Sequence, residues 1–222
     1  ILFYKFYEVY MFYSNDDIVE KTHRTIPHIQ MKDQIISINW KLFFVLPYPM
    51  RLKEERAKAF LRKMNKENRI YTEEEYRKFM QDMLKWDNLI ATLKCEGVNL
   101  SNPEMANIIQ YAFSFYDNKL YELHCYCIMP NHIHILIRPL INEKGEYYHL
   151  SDIVKRLKTY TAKTINQRLK RKGKVWKDNY FDRYIRNEKD YYNVINYYFY
   201  NPAKAGLVEH PDDWEYFYIK NG

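Results

Sequence analysis

The run His132-Ile133-His134 is the densest source of chemistry in this chain. On a strand, side chains two apart leave the same face, so both imidazoles project together while Ile133, Ile135 and Ile137 turn the other way, into a core. Two imidazoles so placed can chelate one divalent metal. Two neutral nitrogen donors are too few for a tight site, so a further ligand has to come from elsewhere. The residues themselves leave two sources open. Cys125 and Cys127, on the strand-like run before the histidines, would complete a four-coordinate zinc site of structural type, although buried thiols also serve as small apolar core side chains. The last predicted helix carries Asn193, Tyr197 and Asn201 spaced by four, a polar stripe in which a phenol and a carboxamide one turn apart address the same point. Tyr191, Tyr192, Tyr198 and Tyr200 crowd that helix too, so spacing does not single out Tyr197.

Three segments in order carry a resemblance: Cys127-Ile-Met-Pro-Asn-His-Ile-His-Ile-Leu-Ile137, then Trp176-Lys-Asp-Asn-Tyr-Phe-Asp-Arg-Tyr-Ile-Arg-Asn-Glu188, then Tyr197-Tyr-Phe-Tyr-Asn-Pro-Ala-Lys-Ala-Gly-Leu-Val208. Together they resemble the REP-associated tyrosine transposases, which are single-tyrosine HUH nucleases. Arg24-Thr-Ile-Pro-His28 also looks like the short basic Pro-His element ahead of the first strand in that family. The resemblance implies a ferredoxin-like or RRM-like HUH nuclease core, with His132, His134 and Asn201 as metal ligands and Tyr197 as nucleophile. It further implies cleavage and rejoining of single-stranded DNA with hairpin structure, through a 5′-phosphotyrosine. Three neutral ligands, without thiolate or carboxylate, suit Mg²⁺ or Mn²⁺ better than zinc. Related enzymes act as monomers or as dimers, and the residues do not choose between them. A basic nucleic-acid-binding module with structural zinc is the non-catalytic alternative.

These groups need elements to position them. Alternation of Ile36, Ile38, Trp40, Leu42 and Phe44 predicts a half-buried strand from 34 to 46. Helices are predicted over about 53–67 and 73–95, the second behind a Thr72-x-x-Glu75 capping box, and again from Ser101-x-x-Glu104 to about Asp117. The apolar face of that third helix is expected at Met105, Ile108, Ile109, Ala112 and Phe115 or Tyr116. Runs from 119 to 129 and 132 to 138 read as a hairpin turning at Pro130-Asn131. A helix from about Ser151 to Arg171, a strand from Asn179 to Arg186, and an Asn187-capped helix ending near Asn201, with Asp190 as its box acid, complete the order. The expected class is α+β, a mainly antiparallel sheet with helices packed on it and a helical insertion over about 51–100. The domain reading is an N-terminal extension over 1–33, a domain over 34–215 and a tail over 216–222.

Charge points to the partner. Lys and Arg total 35 against 28 Asp and Glu, a net charge of +7, which favours a polyanion, nucleic acid first. Between Asp152 and Lys177 lie ten basic residues and only that opening acid. Lys155, Arg156, Lys158, Lys163 and Lys177, with Arg183 and Arg186 nearer the tyrosine helix, are the candidate DNA contacts. Aromatic residues make up 18% of the chain, and exposed rings can stack unpaired bases. The 5 glycines are scattered, which excludes a P-loop or a GxGxxG turn. Cys95, Cys125 and Cys127 are an odd set that cannot pair completely, which fits a reducing, cytoplasmic setting. The opening stretch, interrupted by Lys5 and Glu8, is too short to span a membrane, and the lack of an initiating Met suggests a trimmed start.

Overall fold

The computed structural model describes residues 17–22, 28–44, 52, 55, 93 and 97–220. The predicted helices over 53–67 and 73–95, and Arg24 to Pro27 of the Pro-His element, lie almost wholly outside these residues. The chain groups into two units: residues 1–32 with 45–89, and residues 33–44 with 90–222. In the first unit, β1 (Ile18–Thr22) and β2 (His28–Met31) form an antiparallel ladder with Ile18 opposite Met31 and Thr22 opposite His28. His28 therefore sits inside a strand, where it is buried.

The second unit begins with β3 (Ile36–Lys41), then α1 (Pro103–Tyr116), β4 (Tyr121–Ile128), β5 (His132–Pro139), α2 (Leu150–Arg168), β6 (Phe181–Tyr184), α3 (Glu188–Lys204), a 3₁₀ turn (Pro211–Asp213) and β7 (Phe217–Ile219). The sheet order is β6-β3-β5-β4-β7, antiparallel throughout. Without β7 this is the βαββαβ connectivity and strand order of a ferredoxin-like sheet. The residues expected to form a tail thus add a fifth strand, because Phe217, Tyr218 and Ile219 pair with Cys127, Tyr126 and Cys125, and the Tyr218 ring stacks on Tyr126 at 5.1 Å. No helix among the described residues is long and apolar enough to cross a membrane.

Two apolar layers hold the sheet. Ile36, Ile38, Trp40 and Leu42 of the first strand run join Ile133, Ile135 and Ile137 beneath α1 and α2. The indole of Trp40 meets Phe113 and Trp176 edge-on, each at 6.1 Å, and Trp176 Nε1 donates to Thr161 Oγ1 at 2.9 Å. The opposite face carries Cys125, Cys127 and Leu136, covered by Val194, Ile195 and Tyr198 of α3. A register shift between Leu123 and Cys125 produces this split. Before it, Tyr121 and Leu123 face α1; after it, Tyr126 and Ile128 do, so both cysteines turn to the α3 side.

Local signals explain the helix boundaries, with corrections. Asn102, not Ser101, caps α1: its side chain accepts from Glu104 N at 3.0 Å, while Ser101 Oγ donates to Asn99 Oδ1. The expected apolar face forms, with Met105, Ile109 and Ala112 buried and Ile108 and Tyr116 packed against the core; of the two rings offered, Tyr116 and not Phe115 turns inward, and Phe113 is buried beside Ala112. Helix α2 stops at Arg168, since Lys170 has a positive φ of 50° that no helix accommodates. Helix α3 runs past Asn201 and through Pro202 to Lys204, and Gly206, at φ 70°, reverses the chain.

Candidate functional site

The histidine pair comes from β5, at the strand's opening turn. Because Ile133 and Ile135 are taken by the α1/α2 layer, His132 and His134 must face α3, where both are 2% exposed. Their Nε2 atoms stand 3.0 Å apart, with the rings nearly perpendicular. His132 Nδ1 donates to Asn131 Oδ1 at 2.7 Å, which leaves Nε2 a bare lone pair. Asn131 is itself fixed, its Nδ2 donating to Leu93 O at 2.9 Å. This carboxamide is a site residue that sequence reading passed over; its place beside the first histidine in Pro130-Asn131-His132 was the available signal.

Helix α3 supplies the remaining groups. Asn187 caps it by accepting from Asp190 N at 2.9 Å. The Asp190 carboxylate does not return the bond to the cap. It receives Arg183 Nη1 on both oxygens at 3.2 Å and Arg186 N at 3.3 Å, tying the first turn of α3 to β6. Nearly buried and multiply bonded, this carboxylate is costly to neutralise: Asp190→Asn is expected to lower stability by about 3 kcal/mol, read from urea unfolding midpoints. Farther along, Tyr198 is fully buried, donating to Ile135 O at 3.3 Å and bonding Ser37 Oγ at 2.8 Å. Burial pushes its phenol far above the ordinary tyrosine range. Tyr198 is therefore an anchor that fixes the rotation of α3.

With Tyr198 turned into the sheet, helical spacing brings its neighbours to the histidines. Asn201 Nδ2 lies 2.9 Å from His134 Nε2. The Tyr197 ring packs edge-on against His134 at 5.6 Å between centroids, with Lys204 Nζ 6.0 Å from its face. Asn193, the third member of the stripe, is exposed and outside the cluster. The structure thus brings together His132, His134, Asn201 and Tyr197.

The donor set fits a small hard cation. With Asn201 donating, His134 also presents a lone pair at Nε2, so two bare nitrogens face one another, an arrangement that a shared positive charge resolves. Adjacent ligands of an octahedral ion held at about 2.1 Å stand about 3 Å apart; the separations here are 3.0 and 2.9 Å. Burial, followed by His134 and Lys41, holds the His132 imidazole well below its ordinary pKa, so it is neutral and ready to coordinate. The zinc grouping with Cys125 and Cys127 does not form. The Cys127 thiol turns to Met129 Sδ at 3.8 Å, burial drives both thiols upward in pKa, and no three His, Cys, Asp or Glu side chains among the described residues group as a metal site.

The predicted DNA contacts divide. Lys155, Arg156 and Lys163 are exposed on α2. The Lys158 ammonium bonds the backbone carbonyls of Lys177 and Asp178, Lys177 lies over the Phe44 ring at 5.7 Å, and Arg183 is engaged by Asp190. Arg186 is partly buried, its Nε 3.9 Å from Asp190 Oδ2. These four have contacts within the chain, while Lys155, Arg156 and Lys163 face solvent. Helix α2 also covers the sheet face opposite the histidines.

The family model described as "Transposase IS200 like" matches residues 91–201, half of the chain and a span containing all four clustered residues. The "Putative REP-associated tyrosine transposase" of Haemophilus influenzae is 30% identical over 105 residues, 43% of this chain and 57% of that protein. The "REP-associated tyrosine transposase" of Escherichia coli is 25% identical over 96 residues, covering 43% and 53%. The chain thus spans little more than half the length of the curated relatives it matches. A solved REP-associated tyrosine transposase bound to a REP hairpin superposes with a TM-score of 0.53 at 13% identity, over 89% of this chain and 82% of that one, which shows a shared fold.

Proposed function

The chain belongs to the IS200-like transposase family, and from that premise we propose that it is a divalent-metal-dependent endonuclease and strand transferase for single-stranded, hairpin-containing DNA. The reading is carried by one observation: His132, His134, Asn201 and Tyr197 meet in one place, drawn from a hairpin and a helix far apart in sequence. The relative solved with a REP hairpin supports the choice of substrate.

His132, His134 and Asn201, its carboxamide oxygen turned inward, would hold Mg²⁺ or Mn²⁺. When bound, the cation supplies positive charge that polarises the scissile phosphate. Tyr197 is the nucleophile: its oxygen attacks phosphorus, a P–O bond forms to the phenol, and the bond to the 3′-oxygen breaks. The 3′-oxygen leaves as a hydroxyl, taking up a proton as the phenol loses one. A phenol is a weak nucleophile unless activated, so this step depends on positioning, and the Tyr198 anchor provides it by setting the rotation of α3. Attack by a second 3′-hydroxyl on the phosphotyrosine reverses the step and joins strands without nucleotide hydrolysis. Tyr198 is unsuited to attack, because its hydroxyl is committed to Ser37 and Ile135.

The direct test is a denaturing gel of protein incubated with labelled hairpin oligonucleotide and Mn²⁺. A protein-linked label that survives denaturation is expected, and its absence on every hairpin substrate would overturn the reading. Asn131 gives a subtler check. Because it orients His132, Asn131→Ala should weaken Mn²⁺ binding about 10- to 100-fold, measured by electron paramagnetic resonance of the free ion. Asn131→Asp, which keeps an acceptor for Nδ1–H, should lose less.

A further inference from the structure

Helices α1 and α2 run side by side, and their outer seam carries a cluster of exposed aromatic rings. Tyr111, Phe115 and Tyr160 are 57%, 45% and 36% exposed, well above what packing in a core leaves to aromatic side chains. They are nevertheless mutually ordered. Tyr111 stacks on Phe115 at 6.0 Å with 27° between planes, and lies 6.0 Å from Tyr160. Lys119 Nζ sits 3.8 Å over the Phe115 ring. On α2, Arg156, Tyr160, Lys163 and Gln167 recur at intervals of four, three and four, so cations flank the ring along one face.

The same face leads into a second feature. Beyond Lys163 an open concavity of about 550 Å³ is lined by Asn166, Lys170, Arg171 and Lys172, with no acidic residue in its wall. Its shape is held from within, Asn166 Nδ2 donating to Gly173 O at 2.8 Å and Arg171 Nη2 to Lys174 O at 3.2 Å. The Asn166 Oδ1 atom is buried with no hydrogen-bond partner among the described residues. Glu104, on α1, is paired with Arg168 of α2, which offsets its charge. Rings able to stack flat bases, followed past the end of α2 by a wall of cations, match the alternating chemistry of an unpaired polynucleotide.

We infer that the α1/α2 seam is a second nucleic-acid site, in which Tyr111 and Tyr160 stack unpaired bases while Lys163, Lys170 and Lys172 hold the phosphates that follow. The site lies across the sheet from His132 and His134, so it grips DNA flanking the point of cleavage. The inference rests on the reading of the chain as a DNA-acting protein and gives that reading a location. From Arg156 to its end at Arg168 the helix face extends about 18 Å, and Lys170 and Lys172 continue beyond it.

The test uses the full chain and fluorescein-labelled dT12, with binding followed by anisotropy. Tyr111→Ser combined with Tyr160→Ser should weaken binding about 100-fold, at about tenfold per lost stack. Replacing Lys163, Lys170 and Lys172 together by Glu should reduce the slope of log affinity against log salt by about 2, as three lost phosphate contacts require. Photocrosslinking with 5-iododeoxyuridine should label peptides of α1 and α2. Unchanged affinity in both variants, or crosslinks confined to other elements, would overturn the inference. It would equally fall if the tyrosine pair altered the sedimenting mass but not dT12 binding, which would make the seam a contact between copies of the chain. All substituted side chains are exposed, so unaltered thermal midpoints check that folding is intact. Since anisotropy reads binding alone, failure of wild-type protein to form a covalent adduct would count against the nuclease reading and leave this result standing.

Discussion

Tyr197→Phe is expected to abolish the covalent protein–DNA adduct, a loss of about a thousandfold or more, because no other group at the site can replace the attacking oxygen. The phenylalanine keeps the ring that packs against His134, so folding and DNA affinity should change little. Tyr198→Phe makes the informative contrast. It removes the anchor to Ser37 and Ile135, at a cost of about 1 to 3 kcal/mol, yet leaves the nucleophile present; adduct formation should fall only as far as α3 loses its rotation. A denaturing gel with end-labelled hairpin separates the two. If Tyr197→Phe retained the adduct and Tyr198→Phe lost it, the roles assigned to the two neighbours would be reversed.

His134→Ala should be nearly as damaging. His134 Nε2 is the atom common to both short separations, 3.0 Å to His132 and 2.9 Å to Asn201, so its loss dissolves the cluster. Removing a group that merely orients a ligand costs about 10- to 100-fold in metal affinity, and loss of a ligand should exceed that. Mn²⁺ binding should therefore weaken more than about 100-fold, with adduct formation falling in step, and chelation of the wild-type protein should give the same phenotype. Asn201→Ala should be milder and partly restored by excess Mn²⁺, because two imidazoles remain. His134→Gln, which keeps a polar side chain of similar length, controls for damage to the buried layer. Undiminished Mn²⁺ binding in both His134 variants would remove these residues from any metal site.

The histidine pair was legible from sequence because period-two geometry is almost independent of context. Three apolar isoleucines alternating with it marked the face that packs in the larger core beneath α1 and α2, although the histidine face is buried as well. The antiparallel α+β sheet followed from similar patterns. Other features depend on contacts that no periodicity encodes. The register shift beside His124 reverses the phase of β4 and sends Cys125 and Cys127 to the α3 side, so counting from either strand end gives a different answer. Spacing left Phe115 and Tyr116 as alternatives for the inner face of α1, and only the packing shows Tyr116 against the core, Phe113 buried and Phe115 exposed. The basic run shows the same limit: composition counts cations but does not show that Lys158 is bound to two carbonyls or that Arg183 serves Asp190. Tyr197 and Tyr198 are indistinguishable by type and adjacent in sequence, and only the partner of each ring tells them apart.

The central claim is that the Tyr197 oxygen becomes bonded to DNA phosphorus. The most direct measurement is fragmentation mass spectrometry of the trapped adduct after digestion of DNA and protein. Trypsin should release residues 190–204, a peptide holding Tyr191, Tyr192, Tyr197, Tyr198 and Tyr200. The account predicts a 5′-phosphonucleotide mass on Tyr197 alone. The same mass on another tyrosine of that peptide, or on any residue elsewhere in the chain, would contradict it.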